Sequence, residues 1–237
     1  MSKFETLNTE EHRQLRIKTG YSAALGDAVM FAMTFPVEFR DIQSCYPILF
    51  TKDPNTGGFF AAALLGFETE QNLFLKDDGW DAAYVPALIQ RQPFLIATGG
   101  EGDDKPPMVS LDLDHPRVSH DEGEALFDSE GEPSEFLNQK IALLDKLHRG
   151  LQHGNGFIDT LLKHELLEQI TLDIAFNDGS KQTLQGFYCI AEERLYQLKG
   201  DVLESLNQAG YLQPIFMAVA SLSRTRDLIE RRNRLRV

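Results

Sequence analysis

The sequence predicts an α+β protein, in which a mixed or mainly antiparallel sheet carries helices from the C-terminal half. Two pairs of apolar runs are separated by short turn-forming segments, which is the pattern of β-hairpins. Much of the chain after residue 133 repeats apolar residues at helical spacing. The chain has 237 residues, of which 42% are hydrophobic, so it can bury a core as a single domain over 1–237.

The N-terminal half is predicted to be rich in strands. Residues 28–35 (AVMFAMTF) lack polar alternation and predict a buried strand. Residues 36–45 predict a helix, because Pro36 suits a first helical turn. Apolar runs on both sides of residues 53–58 (DPNTGG) predict a hairpin, and residues 72–75 (NLFL) predict a further short strand.

Residues 79–94 (GWDAAYVPALIQRQPF) predict a helix between two strands. Asp81 is placed to cap the helix, and Pro93 to end it. Trp80 is expected to be mostly buried at the helix start, with its indole N–H paired. The apolar stripe predicted to face the sheet consists of Tyr84, Val85, Leu88 and Ile89.

The second half follows an acidic stretch, residues 99–133, that is rich in glycine and proline and contains one short strand, MVSLDL. This stretch is a possible boundary within the single domain. A helix is predicted from Ser134, with GNG at 154–156 interrupting it. Its apolar face comprises Phe136, Leu137, Ile141, Leu144, Leu147 and Leu151. A second hairpin turns at residues 177–179, and helices fill the last fifty residues.

Composition narrows the classes of function. The net charge of −13 disfavours nucleic acid as a partner. Cys45 and Cys189 lie in apolar runs, so both are expected to be unpaired thiols in a reduced compartment. No apolar run approaches the roughly 20 residues of a membrane span. The N-terminal residues lack the apolar region of a secretory signal, so a cytoplasmic location is expected.

The best candidate for a binding site is the set Trp80, Tyr84, Arg91 and Phe94. Amphipathic aromatic residues with an arginine are enriched at binding hot spots. The same residues could instead pack the helix on the sheet, as single tryptophans often do. Both interpretations stay open at this stage.

A metal site is the alternative that the acidic stretch offers. His120 and Glu122 have the His-x-Glu spacing of an iron site, for which His153 or His164 could supply a further ligand. The competing interpretation is a solvated loop, and no cofactor is expected. The basic C-terminal segment RTRDLIERRNRLR could bind an acidic partner or a membrane surface, or pair with the protein's own acids.

Four segments together resemble the SapC family of bacterial proteins: residues 20–50, 63–96, 109–137 and 184–198. The most specific match runs from Gly66 to Phe94, with a Gly-Phe pair, NLFL, a tryptophan, YVP and an arginine before Pro-Phe. The family is named for association with a bacterial surface layer. Its members are often encoded beside tryptophan halogenase-like proteins, oxygenases and outer-membrane receptors.

The resemblance brings no catalytic residues with it. The function expected for this chain is that of an accessory or adaptor protein that binds a peptide or a partner protein and does not catalyse a reaction. The alternative is a metal-dependent oxygenase, or a subunit of one, that uses the cluster around His120 and Glu122. The oligomeric state is left open.

Overall fold

A computed structural model describes residues 3–77, 79–97 and 108–235. The first part of the acidic stretch, residues 99–107, therefore lies outside the described residues. In chain order the strands are β1 Phe4–Thr6, β2 Arg16–Ile17, β3 Phe31–Thr34, β4 Ile48–Lys52, β5 Phe59–Leu64, β6 Leu75–Lys76, β7 Gly79–Trp80, β8 Phe94–Ala97, β9 Met108–Asp112, β10 Val118–Ser119, β11 Glu124–Ala125, β12 Leu167–Ala175 and β13 Lys181–Ile190.

The helices are concentrated after residue 134. They are α1 Thr9–His12, α2 Phe39–Cys45, α3 Ala87–Gln90, α4 Glu135–Lys163, α5 Glu192–Tyr196, α6 Gly200–Gln208, α7 Leu212–Ser221 and α8 Arg224–Arg234. Two 3₁₀ turns, Ala23–Leu25 and Pro36–Glu38, precede the second of these helices. No helix in the described part of the chain combines the length and apolar character that a bilayer span requires.

The main sheet has five strands in the order β12-β13-β4-β5-β3, and all its pairs are antiparallel. Both predicted hairpins are confirmed as β4–β5 and β12–β13. In the first turn the Asp53 carboxylate accepts hydrogen bonds from the backbone N–H groups of Asn55 and Thr56. Gly57 and Gly179 have positive φ, the conformation for which turns select glycine. With the C-terminal helices α7 and α8 packed in the core, the α+β class is confirmed.

Besides the two-stranded sheet β6-β7, two small sheets, β1-β9-β8 and β10-β2-β11, lie outside the main sheet. Their apolar side chains meet the beginning of α4 in a second core cluster of Leu15, Ile17, Phe94, Leu111, Leu126, Phe127, Leu137 and Leu144. The later part of α4 contributes Phe157 and Leu161 to the main core. Helix α4 thus joins the two clusters, and Leu111, Leu126 and Phe127 of the acidic stretch pack in the same cluster as its start. The single-domain assignment stays a prediction.

Helix α4 is continuous, so the predicted interruption at residues 154–156 is wrong. Its glycines instead allow close packing. A Cβ on Gly150 would lie 2.8 Å from Val37 Cγ1, and one on Gly156 would lie 2.6 Å from the Tyr211 hydroxyl. Glycine weakens a helix by about 1 kcal/mol relative to alanine, and these tertiary contacts offset that cost.

Three further expectations need correction. The predicted buried strand is the edge strand β3, which is buried only at alternate residues. In the predicted strand NLFL, Leu73 and Phe74 form a turn before β6. Helix α3 begins only at Ala87, because Pro86 has an extended ψ, so Asp81 does not cap it. The predicted stripe is accordingly divided, with Tyr84 and Val85 in the extended segment that precedes the helix.

The basic segment at the C-terminus forms α8, whose Leu228 is buried in the main core. Arg231 donates to the Asp81 carboxylate at 2.6 Å and lies over the Phe74 ring. Arg232 is 3% exposed and lies over the Phe176 ring. These arginines therefore interact with the protein itself. Cys45 and Cys189 are both free thiols, as predicted.

Candidate functional site: an apolar groove beside a closed polar network

The first half of segment 79–97 is fixed to the main core through Trp80. The indole Nε1–H donates to the Tyr46 hydroxyl at 2.7 Å, and Tyr46 in turn donates to the backbone carbonyl of Tyr84. The Trp80 ring stacks on Phe74 with centroids 6.5 Å apart and meets Tyr21 edge-on. Trp80 is only partly buried, but its N–H is paired as expected. Here the tryptophan anchors the segment.

Glu38 continues this network inside the protein. Its side chain is 1% exposed and accepts hydrogen bonds from Thr34 Oγ1 at 2.7 Å, the Tyr84 hydroxyl at 2.8 Å and the Ala87 N–H at 3.1 Å. Burial raises the pKa of Glu38, while these hydrogen bonds act in the opposite direction. The carboxylate joins the end of β3 to the start of α3, so it positions both walls of the groove described below.

A buried ion pair fixes the neighbouring chain. Arg117 Nη2 donates to both carboxylate oxygens of Asp27 at 2.8 Å, and Nη1 donates to the carbonyls of Lys18 and Gly20. The two side chains are 3% and 0% exposed. Removing one partner of such a pair leaves an uncompensated buried charge, so the pair is an integral part of this core.

The second half of segment 79–97 faces an apolar groove along α4. One compartment, of about 320 Å³, is walled by α3, β8 and α4, and the other, of about 240 Å³, lies between α4 and the β4–β5 hairpin. The compartments share Met33, Phe35 and Leu151, so they adjoin each other along α4, and the two together are called the groove. Leu151 is 46% exposed at this shared position.

Arg91 lines the compartment beside α3, which is one end of the groove. Its Nη1 donates to the Phe94 carbonyl at 2.6 Å. The guanidinium is half-buried, and this burial lowers the pKa of Arg91. Among the described residues, no carboxylate lies at salt-bridge distance from it. His148 lines the same end, and Asp53 lines the opposite end.

The four predicted binding residues therefore do not form one surface. Phe94 is fully buried and packs against Phe136. Trp80 and Tyr84 use their polar groups inside the protein, and only Arg91 lines the groove. Recognition by these residues stays a prediction, with Arg91 the one best placed to contact a ligand.

The residues proposed for a metal site lie apart from the groove. His120 and Glu122 are exposed, and Glu122 pairs with Lys18 at 2.9 Å. In the described chain, the one group of three side chains with metal-ligand spacing is Glu5, Glu11 and His12, which does not include them. His153 packs on the Tyr211 ring, and His164 ends α4.

The group around His12 is already satisfied without an ion. His12 Nδ1 lies 3.1 Å from both the backbone N and the carbonyl oxygen of Asn8, and Nε2 lies 3.3 Å from the Glu5 carboxylate. Lys3 also pairs with Glu5 at 2.6 Å. This arrangement is typical of a structural histidine.

Sequence reasoning did not identify the groove residues Met33 and Phe35 or the carboxylate of Glu38. Leu151 was predicted on the apolar face of α4. Its position at the end of that face was the feature of the sequence that could have indicated the groove. Met33 and Phe35 belonged to a strand interpreted as wholly buried. Nothing local to residue 38 indicates that its carboxylate is bonded to residues 84 and 87.

Comparison with protein families gives one match. The family model of SapC matches residues 7–228. The chain belongs to the SapC family. Curated proteins and solved structures yield no significant match. The family is thus established over nearly the whole chain, and the geometry of this SapC protein is the basis for the function proposed next.

Proposed function

We propose that this SapC protein is a cytoplasmic, non-catalytic accessory or adaptor protein that holds an apolar segment of a peptide or partner protein in the groove along α4. The observation that carries the proposal is the exposed Leu151 at the junction of two apolar compartments. A partly exposed apolar groove with a few polar groups at its ends is the usual form of a binding site.

The shape of the groove favours a peptide over a compact small molecule. Its two compartments meet at Met33, Phe35 and Leu151, so successive apolar side chains of one segment can occupy them. Rigid elements form the walls, because Glu38 fixes the end of β3 to the start of α3. A groove with rigid walls reduces the ordering that binding costs on the protein side.

The polar groups near the groove support binding more than catalysis. Glu38 and the Tyr84 hydroxyl are engaged with each other, and the carboxylate is buried from the groove. Among the described lining residues, the ionisable side chains are Arg91, His148 and Asp53, at the two ends. They do not form a nucleophile and base pair. The oxygenase alternative would depend on His120 and Glu122, which are exposed and away from the groove.

Family resemblance suggests where partners can be sought. SapC proteins are often encoded beside halogenase-like proteins and oxygenases, which makes segments of such proteins reasonable candidates. The net charge of −13 makes a nucleic acid a poor occupant.

The test uses two random peptide libraries, one displayed with free N-termini and one with free C-termini. Enriched peptides are resynthesised with a fluorescent label and titrated by anisotropy. Leu151→Glu should weaken binding at least about tenfold, because it places a charge in an apolar contact. Leu162→Glu is the matched control, since Leu162 is also on α4, is 43% exposed and lines neither compartment.

Both variants should melt close to the wild-type temperature, because each replaces a largely exposed side chain. If no peptide is enriched from either library, the proposal is contradicted. Enriched peptides that bind the two glutamate variants equally well would also contradict it.

A further inference from the structure

We infer that the Arg91 end of the groove captures the C-terminal carboxylate of the bound segment. This inference rests on the proposed function and names the chemical group that the groove recognises. It follows from a contrast between Arg91 and the other buried arginines of the chain.

The other buried or half-buried arginines have acidic partners. Arg117 forms a two-oxygen contact with Asp27, and Arg231 donates to Asp81 at 2.6 Å. Arg232 lies 3.8 Å from Asp178. Arg91 is also desolvated, yet within the described ranges no acid is at salt-bridge distance from it. This occurs in a chain with 36 acidic and 23 basic side chains.

Partial burial beside apolar side chains removes some of the hydration of a guanidinium, so an anionic partner there is favourable. A desolvated ionisable side chain that lines a cleft is a candidate for a functional site. Arg91 Nη1 donates a hydrogen bond to the Phe94 carbonyl. A guanidinium has five N–H donors in a planar fork that matches a carboxylate. An anionic ligand group would therefore supply the missing compensation.

The position of Arg91 favours a chain terminus as the source of that carboxylate. Three elements, α3, β8 and α4, wall this compartment, which continues toward Leu151 and the second compartment. His148 lines the same compartment and can donate a second hydrogen bond. Asp53 gives the opposite end a negative charge. A segment would thus lie with its carboxyl end at Arg91 and with preceding apolar side chains over Leu151.

The experiment compares synthetic versions of one peptide from the selections above. The first has a free C-terminal carboxylate, and the second has a C-terminal amide. The third also has a C-terminal amide, but its last residue is aspartate. The free acid should bind at least about tenfold more tightly than the amide, and Arg91→Met should remove this difference. Arg194→Met is the control, because Arg194 is 58% exposed and pairs with Glu165 away from the groove.

The outcomes separate the two proposals. If acid and amide bind equally and Leu151→Glu still weakens both, the groove binds peptides but the carboxylate inference is wrong. If the aspartate amide binds as well as the free acid, an acidic side chain replaces the terminus as ligand and the inference is overturned. If the preference for the acid persists in Arg91→Met, another residue recognises the carboxylate. Failure of every peptide to bind contradicts the proposed function itself.

Discussion

The two halves of segment 79–97 use polar side chains in opposite ways. In the first half, the Trp80 N–H and the Tyr84 hydroxyl are paired with Tyr46 and Glu38 inside the fold. In the second half, Arg91 is half-buried at the edge of an apolar groove without a carboxylate partner in the described chain. The same short segment therefore contains one half whose polar groups are paired inside the fold and one half whose cation has no acidic partner among the described residues.

This difference shows how residues that stabilise the fold can be distinguished from residues of the same chemical types that are available to contact a ligand. Aromatic residues with an arginine suggested one binding site in the sequence, but residue type did not decide their roles. The decisive property is whether each donor and acceptor is already paired within the protein. By that criterion the network of Trp80, Tyr84 and Glu38 supports stability, and Arg91 is the residue for which we propose a role in binding.

The largest effect is expected at Trp80, in the half of the segment whose polar groups are paired inside the fold. Trp80→Ala should lower the free energy of unfolding by about 3–5 kcal/mol, because it removes a large ring packed on Phe74 and Tyr21. Urea denaturation followed by circular dichroism measures this change without relying on tryptophan fluorescence. Trp80→Phe should cost less, since it keeps an aromatic ring and loses only the hydrogen bond to Tyr46. An unchanged stability in Trp80→Ala would show that the ring is no anchor.

An intermediate effect is expected at Glu38. Glu38→Gln should cost about 1–3 kcal/mol near neutral pH, because one amide oxygen replaces two acceptors and leaves a buried donor without a partner. Chemical denaturation at a series of pH values gives the difference between wild type and variant.

That difference should depend on pH with a defined sign. Burial holds the pKa of Glu38 in the fold above its ordinary value of 4.5, so ionisation is harder in the folded state. The stability of the wild type relative to the variant should therefore be greatest below about pH 4.5 and fall as the pH rises toward the pKa in the fold. A difference that stays constant, or that grows with pH, would contradict the assignment of Glu38 as a buried carboxylate with a raised pKa.

Local chemistry made some of the fold predictable. The two main hairpins follow from Asp53 with Gly57 and from residues 177–179, because turn geometry depends on neighbouring residues alone. The uninterrupted helix α4 was not predictable in this way. Its Gly150 and Gly156 are explained by Val37 and Tyr211, which are distant in sequence.

The candidate site shows the same limit. Arg91 was identified from its residue type and from the apolar residues around it, which are local features. The groove itself depends on β3 lying at the sheet edge beside α3 and α4, and a strand's neighbours are not encoded within the strand. The contacts of Glu38 join residues separated by 46 and 49 positions. Sequence patterns therefore indicated the segment, and only tertiary structure separated its two halves.

The smallest expected effect on stability belongs to Arg91. Arg91→Met should change the free energy of unfolding by less than about 1 kcal/mol, because methionine retains much of the apolar stem while removing a desolvated charge. The lost hydrogen bond to the Phe94 carbonyl opposes this gain. Urea denaturation of the same preparation used for the peptide titrations measures both properties on one sample. A cost comparable to that of Trp80→Ala would make Arg91 a structural residue, and the two halves of the segment would then be alike.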